Sequence, residues 1–219
     1  MKLTKLQIQS IDQRLKKGGI KYWDVRIEMV DHLVTDIEER GVTNNFDEEL
    51  QNALKRANWH YDLDEVNIQS WKNTNRLYRK KFYKEIWRFL ISVKGLTLLL
   101  LFVCAHYYLS TLVSHKTFMV ISGAIFFLPI LLYFYLAIST WIKKYGRSVH
   151  LDYGLNYMLF SFLMLQGIPQ LVLKKASETS QVIGWLILLP LYLVMMYAGY
   201  KGFQSAYKKV KQMKQVLNG

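Results

Sequence analysis

Four long apolar stretches, none of which contains Asp, Glu, Lys or Arg, fill the second half of this chain and constrain its fold most. A helix crosses the roughly 30 Å hydrocarbon core of a bilayer with about 20 apolar residues. Because lipid offers no partner for backbone polar groups, stretches of this length are expected to be helical. The sequence therefore predicts four membrane-spanning helices, at residues 95–114, 118–142, 153–173 and 182–200.

The remaining segments are also predicted to be helical. Thr4 and Gln7 have capping-box spacing, Asn45 with Glu48 is expected to cap a third helix, and glycines at 18–19 and at 41 mark the ends of the first two helices. We expect residues 1–62 to form a helical domain, residues 63–94 to form a connecting helix with a basic juxtamembrane part, and residues 201–219 to form a tail. The predicted fold is an all-α integral membrane protein, with a small N-terminal cytoplasmic helical domain followed by a four-transmembrane-helix bundle.

Within the second predicted helix, apolar residues recur at helical spacing. This pattern predicts one inward-facing stripe, formed by Trp23, Ile27, Val30, Val34 and Ile37.

The charge distribution predicts the membrane topology. The whole chain carries +13, but residues 1–71 hold ten Lys or Arg against thirteen Asp or Glu, a net charge of −3. The positive charge therefore lies beside the spans, before the first, after the second and after the fourth. By the positive-inside rule, both termini of this multi-pass protein are expected in the cytoplasm. The net negative charge of residues 1–71 also argues against nucleic acid as a partner of this N-terminal region, called the head below.

An acidic cluster on the second helix is the strongest candidate for a partner-binding surface. Glu28, His32 and Asp36 follow one another at four-residue spacing and share one helical face. The face is either solvated and paired with nearby cations, or it docks a protein partner, or it holds a metal ion, although a single His makes a weak metal site. The partner-binding candidates are Asp24, Glu28, Asp31, His32 and Asp36.

The same region carries a family resemblance. The run from Tyr22 to Leu33, then Ile37 to Glu39, then Phe46 to Leu54, resembles a cytoplasmic helical prefix of uncharacterised bacterial membrane proteins of the Bacteroidetes type. Residues 3–60 are also distantly similar to HAAS-type helical domains. The resemblance implies a bacterial inner-membrane protein with a signalling or assembly role and no defined catalytic residues.

The membrane half offers few polar side chains and three prolines. His106 lies mid-span and can bond a neighbouring helix or serve a ligand or a proton. A proline removes a backbone donor and kinks its helix. Gln166 lies three residues before Pro169 and is a candidate to widen the break there. Kinked helices either serve packing or frame a cavity, and the candidates are His106, Pro129, Gln166, Pro169 and Pro190.

The segment after the fourth span is amphipathic and basic. Such a segment is expected to lie on anionic lipid headgroups at the cytoplasmic face. The lipid-surface candidates are Lys208, Lys209, Lys211 and Lys214.

The sequence contains no glycine-rich phosphate loop, nucleophile elbow, H-E-x-x-H or C-x-x-C motif. We therefore expect no catalytic, cofactor or metal residues, although scattered residues such as His150 and Asp152 leave a lipid-active enzyme open. The leading hypothesis is a non-enzymatic signalling, regulatory or assembly protein whose head binds a protein partner. The alternative is a small transporter or permease subunit with a cavity framed by proline-kinked spans. The four spans either pack as one bundle or assemble with copies of themselves.

Overall fold

The computed structural model describes residues 2–43, 45–59, 63–143, 145–171 and 173–218, and of Lys174 and residues 216–218 it describes the backbone alone. The boundary predicted at residue 62, and Val172 in the third predicted span, lie outside these residues. The described part is helical throughout its regular structure and contains no strand. Its helices are α1 (Lys5–Lys17), α2 (Trp23–Arg40), α3 (Phe46–Arg56), α4 (Leu63–Ile91), α5 (Val93–Leu112), α6 (His115–Ile142), α7 (Val149–Leu165), α8 (Gly167–Leu171), a 3-10 turn (Leu173–Lys175) and α9 (Glu178–Asn218).

The chain forms two compact units. The first, called the head unit below, comprises Met1–Arg76, Tyr145–His150 and Val210–Gly219. The second, called the apolar unit, comprises Leu77–Lys144 and Leu151–Lys209. The head unit thus includes the residues just before α7, the first two residues of α7 and the last turns of α9, in addition to helices from the N-terminal part of the chain.

The first helices of the head unit begin where local signals predict. The Thr4 hydroxyl accepts the Gln7 N–H while the Gln7 side chain accepts the Thr4 N–H, which completes the capping box of α1. The Asn45 side chain accepts the Asp47 N–H at the start of α3. These contacts satisfy backbone donors that have no partner within their helices.

The stripe predicted for α2 is largely wrong. Of its five residues only Ile37 is fully buried, whereas the other four are partly exposed. Two apolar stripes lie side by side on this helix, and packing against α1 and α3 selects the second one. The buried stripe repeats every four residues, at Val25, Met29, Leu33 and Ile37.

A buried carboxylate fixes the connection between α2 and α3. Glu49 is 1% exposed, and its Oε1 accepts the N–H groups of Val42 at 3.0 Å and Thr43 at 2.8 Å. Its Oε2 lies 3.9 Å from Nη2 of Arg56, which also binds Asp36 at 2.6 Å. The hydrogen bond from the Thr43 N–H is the largest cause that lowers the pKa of Glu49, and these contacts together outweigh the opposing effect of burial.

We expect this turn to loosen in acid. Because the pKa of Glu49 is lowered by folding, its stabilising effect is complete above the ordinary value of about 4.3 and is lost as pH falls through the lower folded value. Amide exchange of peptides covering residues 38–50 in the full-length protein should rise, relative to the intrinsic rate, below about pH 4.3. Glu49→Gln should show the looser turn at neutral pH and little further change in acid. Equal protection of the unsubstituted protein and Glu49→Gln across this pH range would contradict the stabilising role of the Glu49 carboxylate.

In the described part of the apolar unit, three helices are long and apolar enough to cross a membrane: α5, α6 and α9. They indicate a membrane protein and match the first, second and fourth predicted stretches. The third stretch differs, because α7 ends at Leu165 and the short α8 begins at Gly167. A proline ring clashes with the carbonyl four residues earlier, and Leu165 stands four residues before Pro169. By contrast, α6 continues through Pro129 and α9 through Pro190.

Helices α7 and α9 approach each other closely through glycines. A Cβ atom on Gly199 would lie 2.9 Å from the Met158 backbone nitrogen, and one on Gly154 would lie 2.7 Å from Cβ of Ala206. Small residues at such crossings let helix backbones pack tightly where no hydrophobic force drives association in lipid.

Candidate functional site

Asp24, in the first turn of α2, is buried and bonded to the start of α7. Its side chain is 1% exposed in a position where an acidic residue is ordinarily solvated. Oδ2 accepts the Ser148 hydroxyl at 2.7 Å and the His150 N–H at 3.1 Å, and Oδ1 accepts the Val149 N–H at 3.2 Å. The first N–H groups of a helix have no internal partner and carry partial positive charge. Asp24 therefore caps α7 from a distant position in the chain.

Further contacts join the same three segments within the head unit. The Trp23 N–H donates to the Arg147 carbonyl at 3.2 Å, and His150 Nε2 lies 3.7 Å from Glu28 Oε1. The ammonium of Lys214 lies 4.9 Å from the centre of the Tyr145 ring and 5.9 Å from that of Trp23, both within the range of cation–π attraction. Helix α2 is thus bonded to the 145–150 segment and contacts the end of α9.

The five partner-binding candidates do not form one exposed face. Asp24 is internal, so it is not available to a partner. Asp36 is mostly buried and engaged by Arg56 at 2.6 Å. Glu28, Asp31 and His32 remain exposed. The candidate surface is therefore centred on the middle of α2.

Two of these exposed residues line a groove of about 710 Å³ in the head unit, called the head groove below. Its apolar floor includes Val25 and Met29, and the His32 ring lies 5.3 Å from the Trp59 ring. A volume of this size lies in the range of ligand and peptide sites. The groove residues are Val25, Glu28, Met29, His32, Ala57, Asn58, Trp59, Glu65, Val66, Gln69, Ser70, Asn73 and Thr74.

The chemistry of the head groove suits a partner with both basic and apolar side chains. Glu28 from α2 and Glu65 from α4 bring two carboxylates to it, and Trp59 offers an aromatic face. Carboxylates and an indole ring both attract Lys and Arg, the ring through its quadrupole. Within the described residues, no group of three or more His, Cys, Asp or Glu side chains is arranged to hold a metal ion.

The basic tail residues differ in their surroundings. Lys208 and Lys211 are exposed, whereas Lys209 is partly buried. Lys214 is partly buried against Tyr145 and Trp23. Lys214 therefore contributes to packing of the head unit, and the exposed lysines are those best placed for a lipid surface.

The cavity and kink candidates also lie in different places. His106 is 4% exposed, bonds to the Ser122 hydroxyl on α6 at 3.1 Å, and stacks on Phe102. Gln166 and Pro169 lie at the break between α7 and α8, and Pro129 lies inside α6. Of the three prolines only Pro190 lines a described cavity, an apolar cleft of about 400 Å³ in the apolar unit. The candidates therefore do not converge on one site.

Three groups in the head unit were not singled out in the sequence. Trp59, Glu65 and Ser148 lie in separate segments, and nothing in their spacing links them to α2. The sequence did contain one signal for Ser148. It stands directly before the apolar-rich run that starts at Val149, which is the position of a helix N-cap residue.

Comparisons of the sequence with protein-family models and with curated proteins, and of the structure with solved structures, gave no significant match.

Proposed function

We propose that this chain is a non-enzymatic signalling, regulatory or assembly protein of the bacterial inner membrane, with four spans, both termini in the cytoplasm, and a head that binds a protein partner. The likeness of residues 3–60 to cytoplasmic helical prefixes and, distantly, to HAAS-type domains agrees with this role. The observation that carries the proposal is the head groove, an open site with acidic and aromatic walls beside the segment that Asp24 holds.

The contacts inside the head unit support the four-span topology, because two segments on the same side of a membrane are separated by an even number of crossings. Asp24, Ser148 and Lys214 belong to one unit, so we expect their segments to lie on the same side of the membrane. Two apolar helices, α5 and α6, separate the first two segments. Between Ser148 and Lys214 the chain crosses once through α9, so a return to the same side needs a second crossing. The 17 residues of α7, followed by α8, supply it at the short end of the range for a span.

Charge supports the orientation of this topology. Cations concentrate before α5, after α6 and along the end of α9, whereas few lie between α5 and α6 or between α7 and α9. Cytoplasmic loops carry this excess of Lys and Arg. Exposed lysines of the tail are then placed against the anionic headgroups of the cytoplasmic leaflet, as expected for Lys208 and Lys211.

The partner is best tested by crosslinking from within the head groove. His32 is exposed and lines the groove, so a photo-crosslinking amino acid there should capture the partner in living cells as one discrete adduct. The matched control is the same amino acid at Gln13, which is exposed on α1 and outside the groove. Equal adducts from both positions would contradict a groove-centred interface.

Charge reversal gives the second arm of this test. Glu28→Lys with Glu65→Lys should lower the adduct yield from position 32 about tenfold or more, because like charges then face the basic partner. Glu39→Lys with Glu48→Lys makes the same charge change at exposed positions outside the groove and should leave the yield unchanged. An unchanged adduct yield in the Glu28→Lys, Glu65→Lys variant would contradict recognition of a basic partner by these carboxylates.

A small transporter or permease subunit is the second candidate, favoured by the position of Pro190 on the wall of the apolar cleft. The side chains lining this cleft are apolar except for the Tyr83 hydroxyl, so they offer little to a hydrophilic solute. The cleft suits an apolar molecule better, and the partner-binding role is therefore preferred.

A further inference from the structure

We infer that the apolar cleft binds one acyl chain of an anionic phospholipid from the bilayer, and that Arg79 contacts its headgroup. This inference concerns the apolar unit alone and does not depend on the partner proposed for the head groove. It rests on the shape of the cleft, on its opening, and on the charge at one end.

The cleft is built as an elongated apolar slot. Phe82, Ile86 and Leu90 line it at four-residue spacing along α4, which makes one continuous stripe about 12 Å long. Helix α7 adds Phe160 and Met164 opposite this stripe. Its volume of about 400 Å³ falls within the range of small-molecule sites, and its walls suit hydrocarbon.

The slot is open to the surroundings of the membrane-spanning helices. Met164 is 59% exposed and Leu191 is 49% exposed, although both line the cleft. Helix α9, which carries Leu191, is one of the helices able to cross a membrane. A bilayer around these helices therefore presents lipid chains at the opening, and lipid is the occupant that the surroundings supply.

One end of the slot carries a positive charge. Arg79 precedes Phe82 by three residues on α4, so it shares the face that lines the cleft, and it is exposed. Tyr157 of α7 packs beside this face, and its ring centre lies 5.2 Å from that of Phe82. The cleft thus has an apolar length and a basic end, which is the polarity of an anionic phospholipid.

Two neighbouring cations of α4 are engaged by other side chains. The Lys81 ammonium donates to the Ser205 hydroxyl, and Arg88 pairs with Glu85 at 2.6 Å. Arg79 is therefore the cation on the cleft-lining face best placed to meet a phosphate. A guanidinium binds phosphate through paired N–H groups.

The test uses the full-length protein in nanodiscs that contain phosphatidylcholine and phosphatidylglycerol, with a photoreactive group on the acyl chain of one lipid at a time. Labelled phosphatidylglycerol should modify the cleft residues of α7 and α9 above the level on the exposed faces of α5 and α6. Labelled phosphatidylcholine should modify them less. Uniform labelling of all apolar helices, or equal labelling by both lipids, would overturn the inference.

Two variants locate the chain and the headgroup separately. Leu191→Trp fills the opening and should abolish cleft labelling, whereas Ile187→Trp, one turn away, 66% exposed and outside the lining, should not. Arg79→Gln alters an exposed side chain and should reduce the preference for phosphatidylglycerol about fivefold while labelling of the cleft persists. Unchanged labelling in Leu191→Trp would overturn the acyl-chain site, and an unchanged preference in Arg79→Gln would overturn the headgroup contact.

Discussion

Asp24→Ala is expected to loosen the attachment of the 145–150 segment to helix α2 and to raise amide exchange at Val149 and His150 about a hundredfold. The substitution removes the buried acceptor of the Ser148 hydroxyl and of the Val149 and His150 N–H groups. Loss of a buried charged acceptor costs about 3 kcal/mol, which corresponds to that factor in local opening. Hydrogen exchange of the full-length protein, followed by mass spectrometry of peptides covering residues 145–153, measures the effect.

Ser148→Ala is the matched control for this prediction. It removes the 2.7 Å hydroxyl bond but leaves both N–H groups bonded to Asp24, so exchange should rise about tenfold or less. If Asp24→Ala and Ser148→Ala behave alike, the buried carboxylate does not hold the start of α7. Unchanged exchange in both variants would contradict the cap altogether.

Gly199→Ala should destabilise the apolar unit by about 2 kcal/mol or more, although alanine is the better helix former. The new Cβ would meet the backbone of Met158 at 2.9 to 3.0 Å, and a helix backbone cannot give way as the end of a side chain can. Helices α7 and α9 must then move apart over a tightly packed crossing. The shift in the unfolding midpoint of the detergent-solubilised protein, titrated with SDS, measures the loss.

Gly202, three residues further along α9, provides the contrasting variant. A Cβ added there meets nothing within 4 Å, so Gly202→Ala should be neutral or stabilising by up to about 1 kcal/mol. Opposite signs for these two alanine substitutions on one helix are the signature of the close crossing. Similar midpoints for both would show that α7 and α9 do not pack as described.

Local signals in the sequence predicted several helix ends because their causes are local. Thr4 with Gln7 starts α1, and Asn45 starts α3, since each cap uses a side chain within three residues of the groups it satisfies. Pro169 was expected to kink the third predicted span, but α7 ends at Leu165, the residue whose carbonyl its ring crowds, so this stretch is interrupted. The three helices of sufficient length follow from long apolar runs that no other fold accommodates in lipid.

The parts that were missed depend on contacts between distant segments. In the sequence, Asp24 cannot be distinguished from the other acidic residues of a solvated helix face, because its hydrogen-bond partners are about 125 positions away in the chain. The stripe of α2 was misplaced because two apolar stripes compete, and only the neighbouring helices decide between them. The head groove joins Glu28, Trp59 and Glu65 from separate segments, and no periodicity relates such residues.

The central claim is that the head, the 145–150 segment and the end of α9 lie together on one side of the membrane, and cysteine accessibility tests it most directly. Single cysteines are placed at exposed positions of the full-length protein, in a background without the native cysteine, and labelled with a membrane-impermeant thiol reagent before and after lysis. The account predicts that cysteines on the cytoplasmic side are protected until lysis, whereas cysteines on the opposite side are labelled in intact spheroplasts. Labelling of position 147 in intact spheroplasts, on the side opposite to positions 5 and 212, would contradict it. The protected set is Lys5→Cys, Arg147→Cys and Gln212→Cys, and the labelled set is Lys116→Cys and Ser177→Cys.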